Sequence, residues 1–205
     1  MDLLVKVEVD TMTTCFDLPE VYRDARPKDC RLNEKQAQEL NLWLEYEDAP
    51  MIFTGTPGRG KTFTAASLYN QRQRKLKLLA EEDSRVINVP DFNSIFCNLS
   101  VLFHAYKQSY ENSWELDKLL KNLLFPKLLI LDDLGIREPS PGFADFLHLV
   151  IDQRVGRKKD LTLITTNCTS KQLSEIYGER FSSRVATGYC VKFEGEDLRK
   201  NKRSY

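Results

Sequence analysis

The chain has 205 residues, 41% hydrophobic and 29% charged, with thirty basic and thirty acidic side chains and a formal net charge of zero. That length supports one substantial core and leaves little for a second domain, and the charge balance excludes a histone-like basic coat, so nucleic-acid contact has to come from a local patch. No apolar run approaches a membrane span, the start lacks the basic-then-apolar order of a secretion signal, and five scattered cysteines form neither C-x-x-C pairs nor a disulfide framework. A cytoplasmic protein without a membrane partner is expected.

Residues 1–17 are expected to form an N-terminal arm. Within it Leu3 to Val9 alternates briefly, as an edge strand or as a partner-binding arm. Leu18 to Pro27 is punctuated by prolines and reads as irregular. Leu32 to Tyr46 carries an amphipathic helical pattern, with Asn33 as N-cap and Gln36 three residues on as an approximate capping box.

Met51 to Thr54 is a short apolar strand, and Phe63 to Leu79 is a helix. Between them Gly55, Thr56, Pro57, Gly58, Arg59, Gly60, Lys61 and Thr62 fill every fixed position of the phosphate-loop pattern G-x-x-x-x-G-K-[ST]. Glycines let successive backbone N–H groups turn toward phosphates at the positive end of a helix, and Pro57 stiffens the turn. Lys61 is expected to reach the β- and γ-phosphates, and the Thr62 hydroxyl to ligate Mg²⁺. Gly55 through Thr62, with Phe63 behind them, are therefore the expected nucleotide contacts. The polar stretch Gln71 to Lys77 is either a solvated face or a nucleic-acid contact.

Arg85 to Val89 reads as a second strand stopped by Pro90, with Asp91 capping a helix from Phe92 to Leu102. Phe103 to Tyr110 interleaves aromatics with a base; Phe103, Tyr106 and Lys107 are either core at helical spacing or a stacking surface for DNA. A helix follows over Ser113 to Leu124. Lys127 to Asp133 is a buried-strand pattern ending in two carboxylates, which a parallel sheet delivers to the edge beside the phosphate loop. Asp132 is the expected Mg²⁺ ligand and Asp133 the group that positions the attacking water.

Phe143 to Val155 is a helix whose Arg154 is placed to reach toward a neighbouring subunit, and Leu161 to Asn167 is another strand ending in a neutral amide able to orient water. A short helix over Lys171 to Tyr177, a strand over Tyr189 to Phe193 and a basic tail over 201–205 complete the chain.

Several of these stretches occur together, in this order, in one family. Leu18-Pro19, Tyr22 to Ala25, the phosphate loop, Leu129 to Gly135, Ile151 to Arg154, Thr165-Thr166-Asn167 and Gly178 to Arg184 resemble the AAA+ ATPases of the DnaC/IstB type. These are bacterial and phage helicase loaders and their transposition-helper relatives. The resemblance covers roughly residues 18–200. It implies an α/β P-loop NTPase core of AAA+ type, a parallel sheet flanked by helices, without a full C-terminal lid domain. It also implies that Asn167 is a sensor-1 residue, that Arg184 is an arginine finger donated to the next subunit's ATP with Arg180 nearby, and that Arg199 is a sensor-2 arginine. The region before Leu32 would cover the adenine, and residues 92 to 110 would face single-stranded DNA.

Two departures from the family pattern stand out. Asp132-Asp133 replaces the usual Asp-Glu, so a shorter carboxylate addresses the water. About seventeen residues precede the core, too few for a helicase-binding domain. The leading expectation is an ATP-hydrolysing switch that oligomerises through Arg184 and helps load a replicative helicase onto single-stranded DNA. The alternatives are a transposition helper on duplex DNA, a small-molecule kinase, and a weakly hydrolysing nucleotide-dependent scaffold.

Overall fold

The computed structural model describes residues 16, 18–82, 94–135, 138–155, 157 and 160–199. Five short apolar strands, β1 (Met51–Thr54), β2 (Ser94–Asn98), β3 (Leu128–Leu134), β4 (Leu161–Thr166) and β5 (Tyr189–Lys192), form one parallel sheet in the order β2-β3-β4-β1-β5. Among the described residues seven α-helices cover it: α1 (Glu34–Tyr46), α2 (Lys61–Glu82), α3 (Leu99–Ser109), α4 (Ser113–Leu124), α5 (Pro141–Val155), α6 (Ser170–Tyr177) and α7 (Glu179–Ala186). This is the α/β layered architecture that the sequence predicts.

β1, β3 and β4 are buried on both faces, as parallel strands covered by crossover helices must be, whereas the edge strand β5 buries only Val191. Leu129, Leu131, Ile52 and Ile164 point to a core shared with α3, α4, α5 and α7. Their neighbours Leu128, Ile130, Met51, Phe53, Leu161 and Leu163 point the other way, onto α1 and α2. Trp43 fixes α1 to that second layer. Its ring is fully buried, and its indole N–H donates to the Ala49 carbonyl at 2.8 Å.

The strand order matters for the site. Because β4 lies between β1 and β3, the carboxyl ends of three strands stand side by side. Those ends carry the phosphate loop, Asn167 and the two aspartates.

Several local expectations match closely. Asn33 and Gln36 form a full capping box at α1, with bonds of 2.8 and 2.9 Å. The helix expected over Ser113 to Leu124 is α4. Two expectations are corrected. The stretch expected to start a helix at Phe92 contains strand β2, and the helix α3 begins only at Leu99, capped by Asn98, whose side chain accepts from the Ser100 N–H. A five-residue buried strand has no solvent face, so its apolar run carries no alternation to separate it from a helical turn.

Arg154 does not reach outward. It is 1% exposed and spends its donors on the carbonyls of Leu123, Leu124, Pro126 and Leu161 and on the Thr162 hydroxyl, at 2.8–3.1 Å. The guanidinium ties the end of α5 to the start of β4 and to the turn before β3, and burial lowers its pKa to about 10. The expected strand Arg85–Val89, the Asp91 cap, the basic tail and the arm, apart from Phe16, lie outside the described residues.

Candidate functional site

β1 ends at Thr54, and the chain turns through Gly55, Gly58 and Gly60, with φ of +136°, +79° and +92°, into the first turn of α2. These are backbone conformations that a β-carbon disfavours. Two of the three glycines have a second reason. A β-carbon at Gly55 would lie 2.2 Å from the Phe193 carbonyl oxygen, and one at Gly58 would lie 2.0 Å from the Asp197 carboxylate. The segment after β5 thus straps the phosphate loop, and the Leu198 N–H donates to the Gly58 carbonyl at 2.8 Å.

Lys61 is buried, and its ammonium donates to the Gly55 and Thr56 carbonyls at 2.6 and 2.9 Å and to Asn167 Oδ1 at 2.8 Å. Burial lowers its pKa, opposed by the negative charges of Asp133 and Asp132. Asn167 is therefore in direct contact with the phosphate-loop lysine. Thr56 also accepts from Arg59 Nε at 3.0 Å, while Arg59 Nη1 is buried with no hydrogen-bond partner.

Opposite the loop, the two aspartates occupy a β-bulge. The β3–β4 register passes from Leu131↔Ile164 to Leu134↔Thr166, so Asp132 and Asp133 together face Thr165. Successive strand residues normally point to opposite faces; a bulge re-aims them, which is why bulges recur beside active sites. The Thr165 hydroxyl fastens both, donating to Asp132 Oδ1 at 2.6 Å and accepting from the Asp133 N–H at 3.0 Å.

Asp133 has φ +65°, a left-handed conformation that aspartate tolerates far better than most side chains. The short carboxylate at this position thus suits the local backbone. Asp132 is buried, and burial raises its pKa to about 6, against hydrogen bonds from Thr165, Thr62 and Asn98.

These groups line or adjoin a cavity of about 590 Å³. Its phosphate end is formed by Pro57 through Thr64, Asp133 and Asn167, and it includes the expected contacts Gly58, Arg59, Gly60, Lys61, Thr62 and Phe63. Leu198 and Arg199 of the strap close one side, and Val21, Tyr22, Asp29 and Arg31 form the far end. Asn70 on α2 holds that far segment, donating to the Tyr22, Arg23 and Ala25 carbonyls at 2.9–3.1 Å. The Tyr22 hydroxyl has a raised pKa through burial and the nearby Asp132 charge.

Thr165, Asn70, Asp197 and Leu198 were not expected at the site. A threonine two residues before the expected amide was the available signal for the first. The others are set by contacts across long sequence separations and leave no local pattern.

Not every expected residue comes here. Arg184 and Arg180 lie on α7, outside the cavity lining, and both pair with Asp152. The DNA candidates on α3 split. Tyr106 is 6% exposed and packs against Phe143 and Phe146 with ring centroids 5.3 and 5.2 Å apart. It is a core residue joining α3 to α5, which corrects its assignment to base stacking. Phe103 is half-buried against Phe143 at 5.0 Å, and the exposed Lys107 sits over its ring at 4.9 Å.

No family model matches the chain. Among curated proteins it is similar to the replicative helicase loader DnaC of Escherichia coli (strain K12), 28% identical over 141 residues, 68% of this chain and 51% of that one. A solved structure of the DnaC helicase loader superposes with a TM-score of 0.64 at 22% identity, covering 86% of this chain and 100% of the other. The chain is similar to DnaC in sequence and shares its fold. The same fold, at 15% identity and a TM-score of 0.69, occurs in a replication initiator DnaA solved with AMPPCP and single-stranded DNA, covering 90% of this chain and 55% of that one. The chain spans about half the length of the first curated relatives it matches, 54% and 51%. Among its described residues no helix is long and apolar enough to cross a membrane.

Proposed function

We propose that this chain is a DnaC-type AAA+ protein, an ATP-binding and hydrolysing switch that helps load a replicative helicase onto single-stranded DNA during DNA replication. The observation that carries the reading is the convergence, around one cavity of about 590 Å³, of the phosphate loop, paired carboxylates, a neutral amide and a strap-borne arginine.

The residues fit ATP and Mg²⁺. Glycines at positive φ form a nest for phosphate oxygens, and the partnerless Arg59 Nη1 and the Lys61 ammonium supply cations to meet them. Thr62 and Asp132, already hydrogen-bonded to each other, are the oxygen donors for Mg²⁺. Among the described residues no cluster of three or more His, Cys, Asp or Glu could hold a metal alone, so this pair relies on nucleotide oxygens to complete the shell. When bound, Mg²⁺ neutralises charge between the phosphates. Asp133 accepts the proton of the attacking water, Asn167 orients that water and the lysine, and Arg199 clamps the phosphate tail from the strap. Val21, Tyr22, Asp29 and Arg31 surround the base.

Arg184 does not line its own cavity, which favours action on a neighbour's ATP in a homo-oligomer. The name of the DnaC relative supports a helicase partner, and the DnaA neighbour supports single-stranded DNA; Lys107 with Phe103 is the surface on α3 that fits a backbone and a base.

The test is ATP turnover per subunit across protein concentrations, with and without single-stranded DNA. Turnover that rises with both is expected. Turnover independent of concentration would remove the trans arginine, and ATP binding without hydrolysis under every condition would leave only a scaffold.

A further inference from the structure

We infer that Asp152 is a positioning residue for the arginines that α7 presents to a second copy of this chain. The inference rests on the trans-acting Arg184 proposed above and assigns what holds that arginine in place.

Arg180 and Arg184 lie one helical turn apart on α7, on the same face. Both turn toward one carboxylate on α5: Asp152 Oδ2 lies 2.5 Å from Arg180 Nη2 and Oδ1 lies 3.3 Å from Arg184 Nε. Two guanidinium groups at this spacing repel each other, and the shared anion between them offsets that repulsion. The trio still carries one net positive charge, which suits an incoming phosphate.

Asp152 meets Arg184 on the Nε side of the planar fork. The Arg184 side chain is 49% exposed, and among the described residues its one ion pair is made through Nε. Asp152 thus leaves the end of the fork, the pair of nitrogens that matches two phosphate oxygens, unclaimed.

Both helices are rooted. Two residues beyond Asp152, the buried Arg154 ties α5 to four carbonyls and Thr162. Phe181 and Val185 bury the adjoining side of α7, and Phe181 meets His148 of α5 edge-on at 5.2 Å. The carboxylate thus holds the arginines from a fixed base. Exposed ion pairs of this kind add little to stability. Arg180 is 71% exposed and Asp152 only 23%, so the arrangement orders the arginines far more than it holds the fold together.

The experiment uses mixed subunits of the full chain. Lys61→Ala subunits cannot use their own nucleotide but can donate an arginine; Arg184→Ala subunits have the reverse defect. Their mixture is expected to recover ATP turnover. With the donor changed to Lys61→Ala/Asp152→Asn, the recovered turnover is expected to fall about tenfold to a hundredfold, the scale set by misplacing a catalytic group by roughly an ångström. With Asp152→Asn placed instead on the Arg184→Ala acceptor, recovery is expected to be complete. Equal recovery with both donors overturns the inference, as does a loss on the acceptor side, which would mark a general folding fault. If the first mixture does not recover at all, Arg184 does not act in trans, and the reading beneath the inference fails with it.

Discussion

Asp132 carries a stability cost that should be measurable without nucleotide. Burial moves its carboxyl from an ordinary 3.8 to about 6. A raised acid pKa means that the folded state binds its proton more tightly than the unfolded chain does. The resulting stabilisation is complete below about pH 4 and is lost as pH rises through about 6, where the charge must be carried inside the fold. The difference of about two units corresponds to about 3 kcal/mol at pH 8, and roughly half of that has already been lost at pH 5. Asp132→Asn removes the charge and keeps the shape. In urea denaturation with a chelator present, the variant should be more stable than the parent at pH 8, by about 1–3 kcal/mol once altered bonds to Thr165, Thr62 and Asn98 are allowed for. The advantage should shrink on going to pH 5, and the same variant should lose the Mg²⁺-dependent part of ATP affinity. An advantage independent of pH, or none at pH 8, would refute the reasoning, because no buried charge would then be at stake.

Gly58→Ala forces a β-carbon onto a φ of +79° and against Asp197, so it should cost about 1–3 kcal/mol in thermal unfolding and weaken ATP binding more than tenfold. Adding Asp197→Ala should restore only the steric part of that loss; full restoration would show that the backbone conformation costs nothing. Arg154→Lys keeps the charge but cannot match the fork of donors, and should lower stability by about 2–4 kcal/mol in urea while leaving ATP affinity per folded molecule intact. A loss under about 1 kcal/mol would mean that water replaces the guanidinium.

What the sequence made legible follows from where each signal lies. The phosphate loop is contiguous, and its backbone geometry depends on glycines at fixed offsets, so it reads without a structure. α4 and the α1 capping box are likewise local, fixed by neighbours three or four residues away. β2 was missed because Ser94 to Asn98 is buried on both faces, and the Asn98 cap that ends it doubles as the start of α3. Arg154 resembles any basic residue near a helix end. Its partners are carbonyls, some about thirty residues away, and carbonyls have no sequence signature. Tyr106 was ambiguous for a similar reason: a tyrosine at helical spacing is core or contact depending on what α5 brings opposite, and α5 brings Phe143 and Phe146. The strap of Asp197 and Leu198 on the phosphate loop belongs to the same class. Glycine at 58 was legible as a phosphate-binding glycine, yet not as one that a distant carboxylate also requires.

The most direct test of the central claim is calorimetric titration of ATP into the whole chain, with and without Mg²⁺, beside the Lys61→Ala variant. One ATP per chain, bound more tightly with Mg²⁺ and lost in the variant, is the predicted result. ATP bound equally well by Lys61→Ala, or not bound by the parent chain, would contradict it.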